Sequence, residues 1–122
     1  MATFTFLLCT EPLKFEATDT VLNLAEAMLR KGHSICGIFL FGSGVYNMKK
    51  DIETGKTVRN LPKRLEDFCQ EHDIEVVGCS TWIAATGIKP ADRIDYSKEE
   101  GLGELSTWIT TSDKLLVFGS GR

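Results

Sequence analysis

The chain switches repeatedly between two hydrophobic periods, and this alternation restricts its fold more than any single motif does. Residues 4–8 form a compact apolar run with aromatic and β-branched members, closed by Thr10-Glu11-Pro12, and read as a strand leaving a sheet. From Asp19 onward, Val21, Leu22, Ala25, Met28 and Leu29 recur at helical spacing, with Glu26, Arg30 and Lys31 on the solvent side. Gly32 stops that helix, and residues 35–41 resume a nearly continuous apolar run that suits a buried parallel strand. Pro62 fits the first turn of a second helix, with Leu61, Leu65 and Phe68 as its buried stripe and Cys69 at the edge. A strand at 74–78 follows, then a short helix containing Trp82, Ile83 and Ala84, for which Ser80 or Thr81 is the expected cap. Leu102, Leu105 and Ile109 mark a last helix with Trp108 beside its packed side; residues 114–118 form the last strand and 119–122 a tail.

This order predicts a single α/β domain over 1–122: a three-layer, open, mostly parallel sheet with helices on both faces and right-handed crossovers. A chain of 13.5 kDa is large enough for one core without disulfide staples. Two segments stay open. Gly42-Ser43-Gly44 starts a long connection without regular helical spacing, and Ile94-Asp95-Tyr96 fits either a short strand or an extended link.

Fourteen basic against 17 acidic side chains leave a net charge of -3, which argues against a broad grip on nucleic acid or anionic lipid. No apolar stretch approaches the roughly 18 residues of a membrane span and no leader pattern opens the sequence, so the expectation is a cytoplasmic protein with no membrane or nucleic-acid partner. The four cysteines show no CxxC pair and His33 and His72 no HExxH spacing; the glycines complete neither a P-loop nor a GxGxxG fingerprint. Ser43 and Ser80 lack a nucleophile elbow. Neither a metal nor a cofactor is expected, and the thiols are expected reduced.

Chemistry therefore concentrates on the strand ends. In a parallel sheet, Cys9, the Gly42 connection, Cys79 and Gly119 all approach the carboxyl edge, where open sheets make ligand crevices. Cys79 follows Val76-Val77-Gly78 and precedes the short helix, so its sulfur is expected to face the crevice beside unpaired backbone N–H groups, which favour a thiolate. Cys36 and Cys69 read as core thiols, while Cys9 is either a resolving thiol or a structural one. Trp82 and Trp108 read first as packing residues and Tyr46 as a half-buried anchor of its loop.

Beyond these local readings, the chain resembles the DsrE/DsrF-like family of small sulfur-transfer proteins, and particularly its TusD-like branch. The likeness runs through Lys31-Gly32-His33, Gly44-Val45-Tyr46-Asn47, Cys79 after a hydrophobic strand, Gly87 eight residues later, and Leu102-Gly103 followed by Ser112-Asp113. It implies that Cys79 is the sulfur-carrying cysteine, taking sulfane sulfur as a persulfide from one protein and presenting it to another. Ser80 and Thr81 are then candidate charge stabilisers through their amides, and Cys9, Gly44, Tyr46, Asn47 and Trp82 pocket or partner-contact candidates. The resemblance further implies homotrimers, homohexamers or mixed complexes of related chains. The chain departs from the branch at Ala85 and Thr86, where basic side chains often precede the glycine. On this reading "sulfurtransferase" describes a persulfide carrier rather than a complete enzyme. A noncatalytic regulatory or interaction module with the same fold is the alternative, and a nucleotide-binding α/β domain a weaker third.

Overall fold

A computed structural model describes residues 1–13 and 16–119. In chain order it contains β1 (Thr3–Leu8), α1 (Ala17–Arg30), β2 (Ser34–Leu40), a 3-10 helix (Gly42–Met48), α2 (Leu61–His72), β3 (Val76–Cys79) and α3 (Ser80–Thr86). A one-turn 3-10 segment (Pro90–Asp92), β4 (Ser97–Glu100), α4 (Leu102–Thr111) and β5 (Lys114–Phe118) complete it. The sheet order is β4-β3-β2-β1-β5 and every pairing is parallel, so the expected α/β architecture holds. Of the expected tail, residues 120–122 lie outside the described residues.

Local chemistry sets the helix ends. Asn60 caps α2 by accepting the Lys63 N–H at 3.1 Å, and Pro62 sits in the first turn, where a missing donor costs little. The helix stops at Asp73, which takes a left-handed conformation at φ 53°. In α1, Asp19 lies in the first turn and Arg30 in the last, both matched to the helix dipole.

Strand alternation divides the core between the two faces. Phe4, Phe6 and Leu8, with Ile38, Leu40 and Val76, pack under Val21, Leu22 and Ala25 of α1 and Leu65 and Phe68 of α2. The opposite face carries a smaller cluster of Phe39, Val77, Cys79 and Leu105, with Trp108 packed against it. At roughly 1.5–3 kcal/mol per large apolar side chain buried, the first face dominates stability. The second is covered by one ten-residue helix, α4.

Three local expectations change, and one open segment resolves. The Gly42 connection is helical rather than irregular, a 3-10 helix whose i,i+3 spacing carries no amphipathic signature of the α type. Residues 94–96 are the extended link, one of the two readings left open, and the strand added beside β3 is the next segment, β4, Ser-Lys-Glu-Glu. That strand has no apolar residue to mark it; it is a charged edge, paired among the described residues to β3 alone, which discourages sheet extension. In α4, Leu105 is buried and Trp108 half-buried while Leu102 and Ile109 stay exposed. The helix is rotated so that the Trp108 ring fills the place above Gly37, where an added Cβ would lie 2.4 Å from it. Finally, Ser80 and Thr81 do not cap α3: both lie inside it, and Cys79 is the capping residue.

Candidate functional site

Parallel pairing brings the carboxyl ends of all five strands to one edge, so Cys9, the 3-10 helix, Cys79 and Gly119 gather there as expected. Cys79 is both the last residue of β3 and the extended residue (φ −68°, ψ 124°) from which α3 starts. Its side chain differs from expectation: Cys79 is 3% exposed and packs with Phe39, Val77 and Leu105 beneath α4. It makes no capping hydrogen bond to the first turn of α3. Strand parity explains this. Val77 and Cys79 point to the α4 face, whereas Gly78 points to the other, where an added Cβ would lie 2.5 Å from Met48 Sδ and 2.8 Å from Ile83 Cδ1. Ser80 is half-buried and Thr81 exposed, so their amides begin α3 without their side chains closing it.

Gly44 and Asn47 build the wall of this edge. The 3-10 helix crosses the end of β1 so closely that a Cβ on Gly44 would sit 2.1 Å from the Leu8 carbonyl oxygen. Asn47, 0% exposed, donates through Nδ2 to the Thr10 and Gly44 carbonyls, both at 2.9 Å, and accepts from the Thr18 hydroxyl. One amide thus ties the segment after β1, the turn after β2 and the start of α1. Its hydrogen-bonding capacity is largely spent on positioning these backbones.

Tyr46 and Trp82 form the exposed part of the edge, at 45% and 39% exposure. They share an open groove of about 220 Å³ with Gly42, Ser43, Ala85 and Thr86. Trp82 is braced by Phe41, ring edge to ring face, at 5.6 Å between centroids. No lining side chain is charged, so the groove offers aromatic surface and hydroxyls rather than a cationic cradle. The sequence places the Gly42 connection at this edge but singles out neither Ser43 nor Phe41 for it; the glycine turn and the Ala85-Thr86 pair are the available signals.

The remaining thiols separate. Cys9 is half-buried, its amide donates to the Phe118 carbonyl at 2.8 Å, and burial pushes its thiol pKa up. With β2 between β1 and β3, strand spacing alone puts the backbones of Cys9 and Cys79 about 10 Å apart. A disulfide wants Cα atoms about 4.4–6.8 Å apart, so pairing them requires backbone movement. Cys69 is buried in the α2 core and its pKa is pushed up to about 12 by burial first, with the Glu66 charge adding to it. Cys36 departs from the expected apolar setting: it is half-buried and accepts from the Ser112 hydroxyl at 3.2 Å where the end of α4 covers β2.

Against known proteins, the DsrE/DsrF-like family matches residues 2–118. The DsrE protein of Allochromatium vinosum is 27% identical over 119 residues, covering 88% of this chain and 92% of its own. The sulfurtransferase TusD homolog of Aliivibrio fischeri is 25% identical over 114 residues, covering 84% of this chain and 88% of its own. The crystal structure of the ychN protein from E. coli superposes with a TM-score of 0.84 at 22% identity, covering 97% of this chain and all (100%) of that one. A protein of unknown function from Methanobacterium thermoautotrophicum, MTH1491, shares the fold with a TM-score of 0.69 at 13% identity, at 97% and 100% coverage. With nearly the whole chain matched and the same parallel sheet beneath it, this protein belongs to the DsrE/DsrF-like family.

Proposed function

We propose that this protein is a sulfur relay in which Cys79 carries sulfane sulfur between protein partners. The carrying observation is the position of Cys79, where β3 passes directly into α3 at the carboxyl edge of a DsrE/DsrF-like sheet. The Cys79 thiolate attacks the outer sulfur of a donor protein's persulfide, the donor S–S bond breaks, and the donor sulfur leaves as a thiolate. An acceptor thiolate then attacks the outer sulfur of the Cys79 persulfide, and Cys79 is regenerated as thiolate. No external oxidant or reductant is consumed.

Burial of Cys79 makes partner docking part of the reaction. Its cover is thin: the ten-residue α4 is held over it mainly by Leu105 and Trp108. An element with so little buried area opens at low cost relative to global unfolding. The Tyr46–Trp82 groove lies at the same edge of the sheet and supplies an aromatic surface for the docking protein. Its neutral lining accords with the loss of basic residues at Ala85 and Thr86, and favours recognition by protein contacts over capture of a small anion.

The reading includes self-association. Leu7 and Val117 are cross-strand neighbours on the thinly covered face, and Val117 is 59% exposed; Leu102 and Ile109 add exposed apolar surface from α4. A ring-closing, heterologous contact between copies through this face would accord with the trimer or hexamer suggested by the family resemblance. No helix among the described residues is long and apolar enough to cross a membrane.

The test incubates the reduced protein with a defined protein-persulfide donor, alkylates, and maps the products by peptide mass spectrometry. Sulfur added at Cys79 in wild type and absent in Cys79→Ser is the expected result. The buried, uncapped thiol favours a second reading, a noncatalytic interaction module. That reading gains if Cys79→Ser binds partners normally and wild type takes up no sulfur from a donor that loads a control carrier.

A further inference from the structure

A second cluster of reactive groups lies at the opposite edge of the sheet. Helices α1 and α2 run back against the strands, so their carboxyl ends meet near the starts of β2 and β3. There Glu26 of α1 and the neighbouring Glu71 and His72 of α2 place one donor atom each within 4.8 Å of one another. The His72 ring is fixed against Phe68, one turn earlier, at 4.7 Å between centroids. Its Nε2 points toward Glu71, 3.9 Å from Oε2, and this nitrogen is shielded from solvent without a hydrogen-bond partner. A buried ring nitrogen left unpaired costs about 1–3 kcal/mol unless something satisfies it.

The surroundings suit a cation. Glu26, Glu71 and His72 line an open groove of about 380 Å³ with Leu29 and Arg30, so an ion can enter and keep water on its free positions. Two helix carboxyl ends converge here, and each adds negative potential. Glu26 is held from behind by Arg64, Nη2 to Oε1 at 3.0 Å, and the same guanidinium reaches Asn23 at 2.8 Å. A hydrogen bond that orients a ligating carboxylate is a usual outer-shell arrangement. Arg30 is exposed and has solvent to swing into.

We propose that Glu26, Glu71 and His72 form a binding site for a divalent first-row transition ion, with zinc(II) as the reference ion. One imidazole with two carboxylates matches the borderline ions rather than calcium or magnesium, whose ligands are oxygen alone. Donor atoms about 2.0–2.2 Å from a tetrahedral ion lie about 3.3–3.6 Å from each other, so the cluster must close by about 1 Å. Glu71, with 70% of its side chain exposed, is free to make that movement. The ion would staple α1 to α2, far from Cys79 and independent of sulfur relay.

The test titrates zinc chloride into the reduced full chain, into Glu71→Gln and into His72→Ala by calorimetry, with cobalt(II) absorption as a check on ligand type. One equivalent should bind wild type, raise its Tm, and bind at least about tenfold more weakly to either variant. Cys79→Ser should bind as wild type does. Equal affinity in wild type and Glu71→Gln, absence of binding at millimolar zinc, or an intense near-ultraviolet thiolate-to-cobalt band would each overturn the proposal. Glu71→Gln carries the test by itself if His72→Ala does not fold, because residue 71 lies on the surface.

Discussion

Asn47 and Cys69 show how single buried groups fix what the chain can do. Asn47→Ala removes two donated hydrogen bonds and leaves the Thr10 and Gly44 carbonyls and the Thr18 hydroxyl short of a partner in the interior. At about 1–3 kcal/mol for a buried group left unsatisfied, a loss on the order of 3 kcal/mol is expected in urea unfolding. Cys69 carries a prediction about alkaline pH. Its folded pKa of about 12 exceeds the ordinary 9.0, so between those values the unfolded chain has released a proton that the folded chain keeps. Its contribution is intact below about pH 9, and stability then falls by roughly 1.4 kcal/mol per pH unit toward pH 12. Urea midpoints from about pH 8 to about pH 11 should show a shallower alkaline decline in Cys69→Ala than in wild type; identical slopes would exclude Cys69 as the cause. At this scale the sequence disclosed the identity of Cys79 as the candidate thiol but not its exposure. Which way a strand-end side chain points depends on which residue of β3 starts the pairing.

Among the elements, α2 was readable in detail and α4 only in part. Pro62 and the Leu61, Leu65 and Phe68 stripe are local signals, and the helix formed where they place it. Asn60 completes its start, so Asn60→Ala should lower stability by about 1 kcal/mol in urea unfolding, with Asn60→Ser close to wild type. The α4 pattern of Leu102, Leu105 and Ile109 misled because a helix of ten residues has no single apolar stripe strong enough to fix its rotation. Gly37 decides that rotation from across the fold, by leaving room for the Trp108 ring. Strand β4 is a similar case: its pairing to β3 supplies the hydrogen bonds, and its charged side chains give no hydrophobic signal.

For the whole molecule, the two sheet faces are unequally covered, and the proposed assembly and relay both rest on the thinner side. If the face carrying Leu7 and Val117 joins copies of the chain, Val117→Asp should shift native mass spectra toward monomer while leaving the circular dichroism unchanged. An unchanged assembly would place the interface elsewhere. The sequence by itself determined the α/β class, the order of its major elements and the gathering of Cys9, Cys79 and the Gly42 turn at one edge, because periodicity and parallel connectivity are carried locally along the chain. Only the tertiary structure decided that Cys79 lies under α4, that Asn47 is a clamp, that Tyr46 and Trp82 share a groove, and that Glu26 meets Glu71 and His72. These facts depend on strand parity, helix rotation and contacts between residues distant in sequence, which packing in three dimensions sets and no local pattern encodes.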